Sequence, residues 1–220
     1  MFKSRKLFEY GGIAASLLLI AFGIGAIALS FNGRNTVHSN LRAEAVVGTP
    51  DMTPSAIKAE AKQAKLPASV SLPSCNVAGH TIDTGSEARC FAQYMRIHSL
   101  ELTGGYTYSQ LGRYEAAANT PKSALAPGGG TNDAQFAKVD PKTGQPVSDA
   151  TRDTWVTAIA LMNALNSSYM AEQIALFGLV VGVALLLSGI GFGVLLTIGG
   201  VLRRRPESVE ASGGMPVAAS

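Results

Sequence analysis

The stretch QIALFGLVVGVALLLSGIGFGVLLTIGGVL, residues 173–202, holds no ionisable side chain over 30 consecutive positions. It exceeds the ~20 helical residues that cross a hydrocarbon core about 30 Å thick. A second stretch, residues 11–31, is uncharged in the same way. Charged residues are only 15% of the chain and hydrophobic ones 47%, against ~25% charged in soluble domains. The missing charge is concentrated in these two runs. The fold class they define is a membrane, all-α protein with transmembrane helices over 11–31 and 173–202.

Orientation follows from the flanks. Residues 1–10 carry Lys3, Arg5 and Lys6 against Glu9, and the tail 203–220 opens with Arg203-Arg204-Arg205 against Glu207 and Glu210. Between the runs, residues 32–172 contain 12 basic and 12 acidic side chains, so the net charge of +3 lies entirely at the two ends. Positive charge in short flanks marks the cytoplasmic side. Both termini are therefore expected in the cytoplasm, with 32–172 outside the bacterial cytoplasmic membrane. The basic start and Ala26-Ile27-Ala28 also fit a cleavable signal. The longer apolar run and the Glu9-Tyr10 boundary favour a retained anchor. No folded element concentrates basic residues as nucleic-acid binding requires. The arginine triplet reads as a stop-transfer anchor, since lipid-specific sites usually need ~4–8 basic residues.

Beyond the first span, Val37, Leu41 and Ala45 continue its helical spacing, predicting a helix that projects to about Glu44 before Gly48-Thr49-Pro50. Thr53-Pro54 predicts an N-cap and first-turn proline for a short helix through Lys65. Residues 68–85 read as an irregular loop. A stronger helix is expected from Ser86 to Thr103, with Phe91, Tyr94, Met95, Ile97, His98 and Leu102 on its apolar stripe, and another short one over 108–114. Residues 32–115 thus form a small, mostly helical extracytoplasmic domain.

Segment 116–148 has only Leu125, Phe136, Val139 and Val147 as large apolar residues. These are too few to offset the cost of ordering it. It reads as a flexible loop, loosest at Gly128-Gly129-Gly130. Ser148 or Asp149 then caps a juxtamembrane helix, 149–172, with Trp155, Ile159, Met162, Asn166 and Tyr169 on one face, running into the second span.

Cys75 and Cys90 are the only cysteines. In an exported segment they are expected to form a disulfide. The order Cys75, His80, Cys90, His98 matches no standard zinc spacing, so no metal is expected there. Gly178, Gly182, Gly189, Gly193 and Gly200 fall within about 60° on a helical wheel, a groove that admits another helix backbone. Ala14, Ala21, Gly25 and Ala28 cluster equally tightly on the first span and are the expected counterpart. The groove suits packing of the two spans on each other, or on a further membrane subunit.

No ionisable group lies within the spans, contrary to what a transporter needs. His38, His80 and His98 are scattered, and Asp51, Glu87, Glu101 and Glu115 read as solvated or capping groups. No nucleophile–base order or phosphate loop stands out, and Gly189-Ile190-Gly191-Phe192-Gly193 lies inside the span. Neither a catalytic set nor a cofactor is expected.

The segments Glu9-Tyr10-Gly11-Gly12-Ile13-Ala14-Ala15-Ser16, Val47-Gly48-Thr49-Pro50-Asp51-Met52-Thr53-Pro54 and Ala88-Arg89-Cys90-Phe91-Ala92-Gln93-Tyr94-Met95-Arg96 resemble a group of actinobacterial two-span membrane proteins without assigned function. Some members carry the label aromatic ring-opening dioxygenase, but no iron-ligand set accompanies that label here. The resemblance implies a host type and no mechanism. The expected function is non-enzymatic: association with the bilayer and with other membrane subunits or further copies of the chain. A small oligomeric channel is the alternative, though Ser188 and Thr197 are the only hydroxyls of the second span. An exported, membrane-anchored enzyme ranks third.

Overall fold

A computed structural model describes residues 2–203, with side chains over 9–198. Four α-helices follow in order: α1 Phe2–Ala43, α2 Pro54–Gln63, α3 Gly85–Leu102 and α4 Ala150–Arg203. Two of them, over Glu9–Ala43 and Ala150–Ile198, are long and apolar enough to cross a membrane. Arg204, Arg205 and the tail that follows lie outside the described residues. The described residues divide into two compact units, one pairing α1 up to Leu29 with α4 from Gly178, the other Ser30–Phe177.

Local chemistry accounts for the helix ends in the Ser30–Phe177 unit. Thr53 accepts a hydrogen bond from the Ala56 amide and Pro54 opens α2. Such a cap satisfies an otherwise orphaned donor, and proline needs no donor at that position. The helix starting near Ser86 begins earlier, at Gly85, because Thr84 and Glu87 close a reciprocal capping box. Asp149 Oδ1 accepts from the Arg152 amide and starts α4. The expected helix over 108–114 is only a single 3-10 turn, Tyr108–Gln110.

Two apolar clusters hold this unit together. The larger joins Leu41 of α1, Ile57 of α2, Ile82, Tyr94 and Ile97 of and before α3, and Met162 and Leu165 of α4. The smaller is Leu100, Leu111 and Trp155. On α4 the buried face runs Trp155, Ala158, Met162, Leu165; Asn166, expected on it, is exposed, and so is Leu102 of α3. The Cys75–Cys90 disulfide ties the loop before α3 to its second turn. The Tyr94 hydroxyl reinforces it by donating to the Cys75 carbonyl at 2.6 Å.

Segment 116–148 departs from the loose excursion expected of it. Antiparallel bridges pair Tyr114 with Thr131 and Ser148, Ala116 with Ala137, and Val139 with Pro146. Thr131 is fully buried, and its hydroxyl donates to the Ala124 carbonyl at 2.8 Å. Backbone and hydroxyl pairing thus replaces the large side chains whose scarcity suggested disorder. Close approach decides Gly112, where an added Cβ would collide with the Thr131 backbone nitrogen.

Glu172 joins three helices. Its carboxylate, almost fully buried, accepts from His38 Nε2 at 2.9 Å and Arg34 at 3.4 Å on α1, and from the Gly85 amide of α3 at 2.8 Å. A Cβ on Gly85 would come 2.7 Å from Glu172 Oε2. The glycine therefore lets a helix N-terminus, with its free amides and partial positive charge, reach the carboxylate.

Candidate functional site

Two places in the molecule concentrate residues beyond what packing of a small helical unit requires. The first is the close pairing of α1 with α4 in the unit built from their apolar segments. The helices run antiparallel there, Gly12 facing Leu196 and Ile27 facing Gly182. A methyl group on Gly189 would lie 2.9 Å from both the Ile20 amide nitrogen and the Ser16 carbonyl oxygen. One on Gly182 would lie 2.9 Å from the Ile27 nitrogen, and one on Gly193 3.0 Å from Ser16 Oγ. Gly178 is half-buried, and the side of Gly200 lies outside the described residues.

The groove of α4 is thus filled within the chain, but by a different face of α1 from the one its small residues suggested. Ser16, Ile20, Gly23 and Ile27 enter it. At Gly23 a Cβ would stand 2.7 Å from the Leu186 nitrogen. Ala14, Ala21, Gly25 and Ala28 are exposed, and a Cβ on Gly25 would meet nothing within 4 Å. The wheel places the two faces of α1 about 140° apart. Sequence reasoning overlooked Ser16, whose buried hydroxyl donates to the Gly189 carbonyl at 2.7 Å. That bond rewards the face carrying Ser16, since an unpaired hydroxyl in an apolar environment is costly.

The second place is a cluster of Asp51, Glu60 and His98 in the Ser30–Phe177 unit. Asp51 sits in the turn before α2, Glu60 on α2 and His98 on α3. One ligand-type atom from each lies within 4.8 Å of the others. His98 Nε2 is 3.4 Å from Asp51 Oδ2 and 3.5 Å from Glu60 Oε1. Nε2 is buried, yet neither carboxylate is aligned with it as a hydrogen-bond partner. Burial, then the hydrogen bond and charge of Glu101, then the charge of Asp51, push the Glu60 carboxyl up to about 7. At Asp51 the Thr49 hydrogen bond dominates and holds the carboxyl below its ordinary value.

The histidines are therefore not scattered. His38 meets Glu172, His80 lies 4.0 Å from Glu87, and His98 faces two acids. Asp51 and Glu101 are exposed as expected of solvated groups, yet both stand beside Glu60, while Glu87 is the expected cap and Glu115 pairs with Lys138 at 2.6 Å. No protein-family model, no curated protein and no solved structure matches the chain.

Proposed function

We propose that the chain is a two-span protein of the bacterial cytoplasmic membrane that works by association rather than catalysis. Residues 1–10 and 203–220 lie in the cytoplasm and 32–172 outside, the arrangement that the positive-inside rule assigns to this charge map. The protein serves as an accessory subunit of a larger envelope complex, or as a homo-oligomer.

The observation that carries this reading is the division of small residues between two faces of α1. One face closes on α4, and the other, with Ala14, Ala21, Gly25 and Ala28, is left open. Only 11% of each apolar helix window is buried within the chain. In lipid no hydrophobic drive joins helices, and faces of small residues are where backbones approach and pack.

The test uses the full-length protein in native-like bilayers and in several mild detergents. Both natural cysteines are paired, so Gly25→Cys supplies a single thiol on the open face. Cross-linking between copies at Gly25→Cys but not at Gly191→Cys supports the homo-oligomer. Loss of defined co-purifying subunits in Gly25→Leu supports the accessory role. A lone monomer in every medium, with neither effect, overturns association. Topology is checked separately: an impermeant thiol reagent applied outside labels Gly129→Cys and not Ser212→Cys, and labelling of both would mean that α4 does not cross.

A further inference from the structure

We propose that Asp51, Glu60 and His98 form a binding site for a divalent transition-metal ion of the Zn2+ class. The site joins the turn before α2, α2 and α3, and its geometry is independent of how the protein associates in the membrane. Two observations converge on it. The donor atoms, one nitrogen and two carboxylate oxygens, already lie within 4.8 Å of one another. Ligands about 2.0–2.2 Å from a shared ion are separated by no more than about 4 Å, so only a small contraction is required. His98 Nε2 is buried without a hydrogen-bond partner and stands between two acceptors. One imidazole nitrogen and two carboxyl groups converge there without forming a hydrogen bond at Nε2, and a cation between the three groups would satisfy all of them.

The donor set selects the ion. Mg2+ and Ca2+ favour sites built from oxygen alone, and a thiolate-rich site would favour softer ions. One imidazole with two carboxylates suits Zn2+, Mn2+ or Fe2+ in a site that keeps a position for water. Sequence spacing hides the site. Asp51, Glu60 and His98 are separated by 9 and 38 positions, and neither interval matches a metal motif.

The test is isothermal titration of Zn2+ into full-length, chelator-stripped protein, paired with thermal unfolding with and without Zn2+. We expect saturation at one ion per chain and a rise in unfolding temperature on loading. His98→Gln and Asp51→Asn should each weaken binding by at least ~10-fold and abolish the Zn2+-dependent rise, with helical circular dichroism unchanged before metal is added. His80→Gln, at the exposed pair with Glu87, should leave affinity unaltered. Should His98→Gln fail to fold, Asp51→Asn decides alone, because Asp51 lies in an exposed turn. Absence of saturable binding to the parent protein overturns the proposal. Binding that survives both substitutions, or that depends on His80, overturns it equally.

Discussion

A single methyl group on Gly189 should separate the two apolar helices. The added Cβ would lie 2.8 Å from Ile20 Cγ1 and 2.9 Å from the Ile20 nitrogen and the Ser16 oxygen, where ordinary contact begins at 3.4 Å. Two of these three are backbone atoms that no rotamer change can move, so the helices must part by roughly 0.5–1 Å. Overpacking of this kind costs about 1–3 kcal/mol. The 2.7 Å bond from Ser16 Oγ to the Gly189 carbonyl stretches with it, at a further cost of about 0.6–1.7 kcal/mol between membrane helices. Gly189→Ala should therefore weaken pairing by about 2–4 kcal/mol, or roughly 30- to 1,000-fold. Gly191→Ala raises hydrophobicity by the same amount where a Cβ meets nothing within 4 Å, and should be neutral. Unfolding of the full-length protein in bicelles, followed by the efficiency of an engineered disulfide between α1 and α4, reads the difference. Equal effects at Gly189 and Gly191 would refute the close-approach argument.

Replacing Cys75 or Cys90 with serine should lower the stability of the Ser30–Phe177 unit by about 2–5 kcal/mol, seen as a lower denaturant midpoint; an unchanged midpoint means the disulfide constrains nothing. Glu172→Gln leaves Arg34 and His38 facing a neutral amide. Because Arg34 is partly solvated, the expected cost is about 2–3 kcal/mol, below the ~3–5 of a fully buried pair. Arg42→Gln at the exposed pair with Asp83 should cost much less by the same denaturation assay, because solvent screens an exposed pair, and a reversed order would show that burial is not what matters. In metal-free protein, Glu60 titrates at about 7 when folded, against an ordinary value of 4.5. Its raised value favours the protonated folded state, so the contribution is complete below 4.5 and disappears as pH rises through 7. Unfolding temperatures of parent and Glu60→Gln proteins should therefore diverge progressively between pH 4.5 and 7.5, the parent losing stability relative to the variant as pH rises; parallel profiles would show that Glu60 is not perturbed.

What could be read without the fold was whatever depends on residues close in sequence. Two uncharged runs require long apolar helices, because length and composition alone decide whether a helix suits hydrocarbon. Thr53-Pro54 caps α2 through neighbours two or three residues apart, and the two cysteines have only each other. The groove of α4 was legible for the same reason, since one helix's wheel arranges its own glycines. Which face of α1 enters that groove was not legible. Both faces carry small residues, and the choice falls to Ser16, whose hydroxyl gains a partner only once α4 is present. Segment 116–148 was misread because its order comes from pairing between residues far apart, such as Tyr114 with Ser148, rather than from apolar side chains. Asp51, Glu60 and His98 likewise become a site only when α2 packs on α3 and the preceding turn folds over them. Ligation needs atoms within a few ångströms in space, and spacing along a chain conveys that only when one element holds all the ligands.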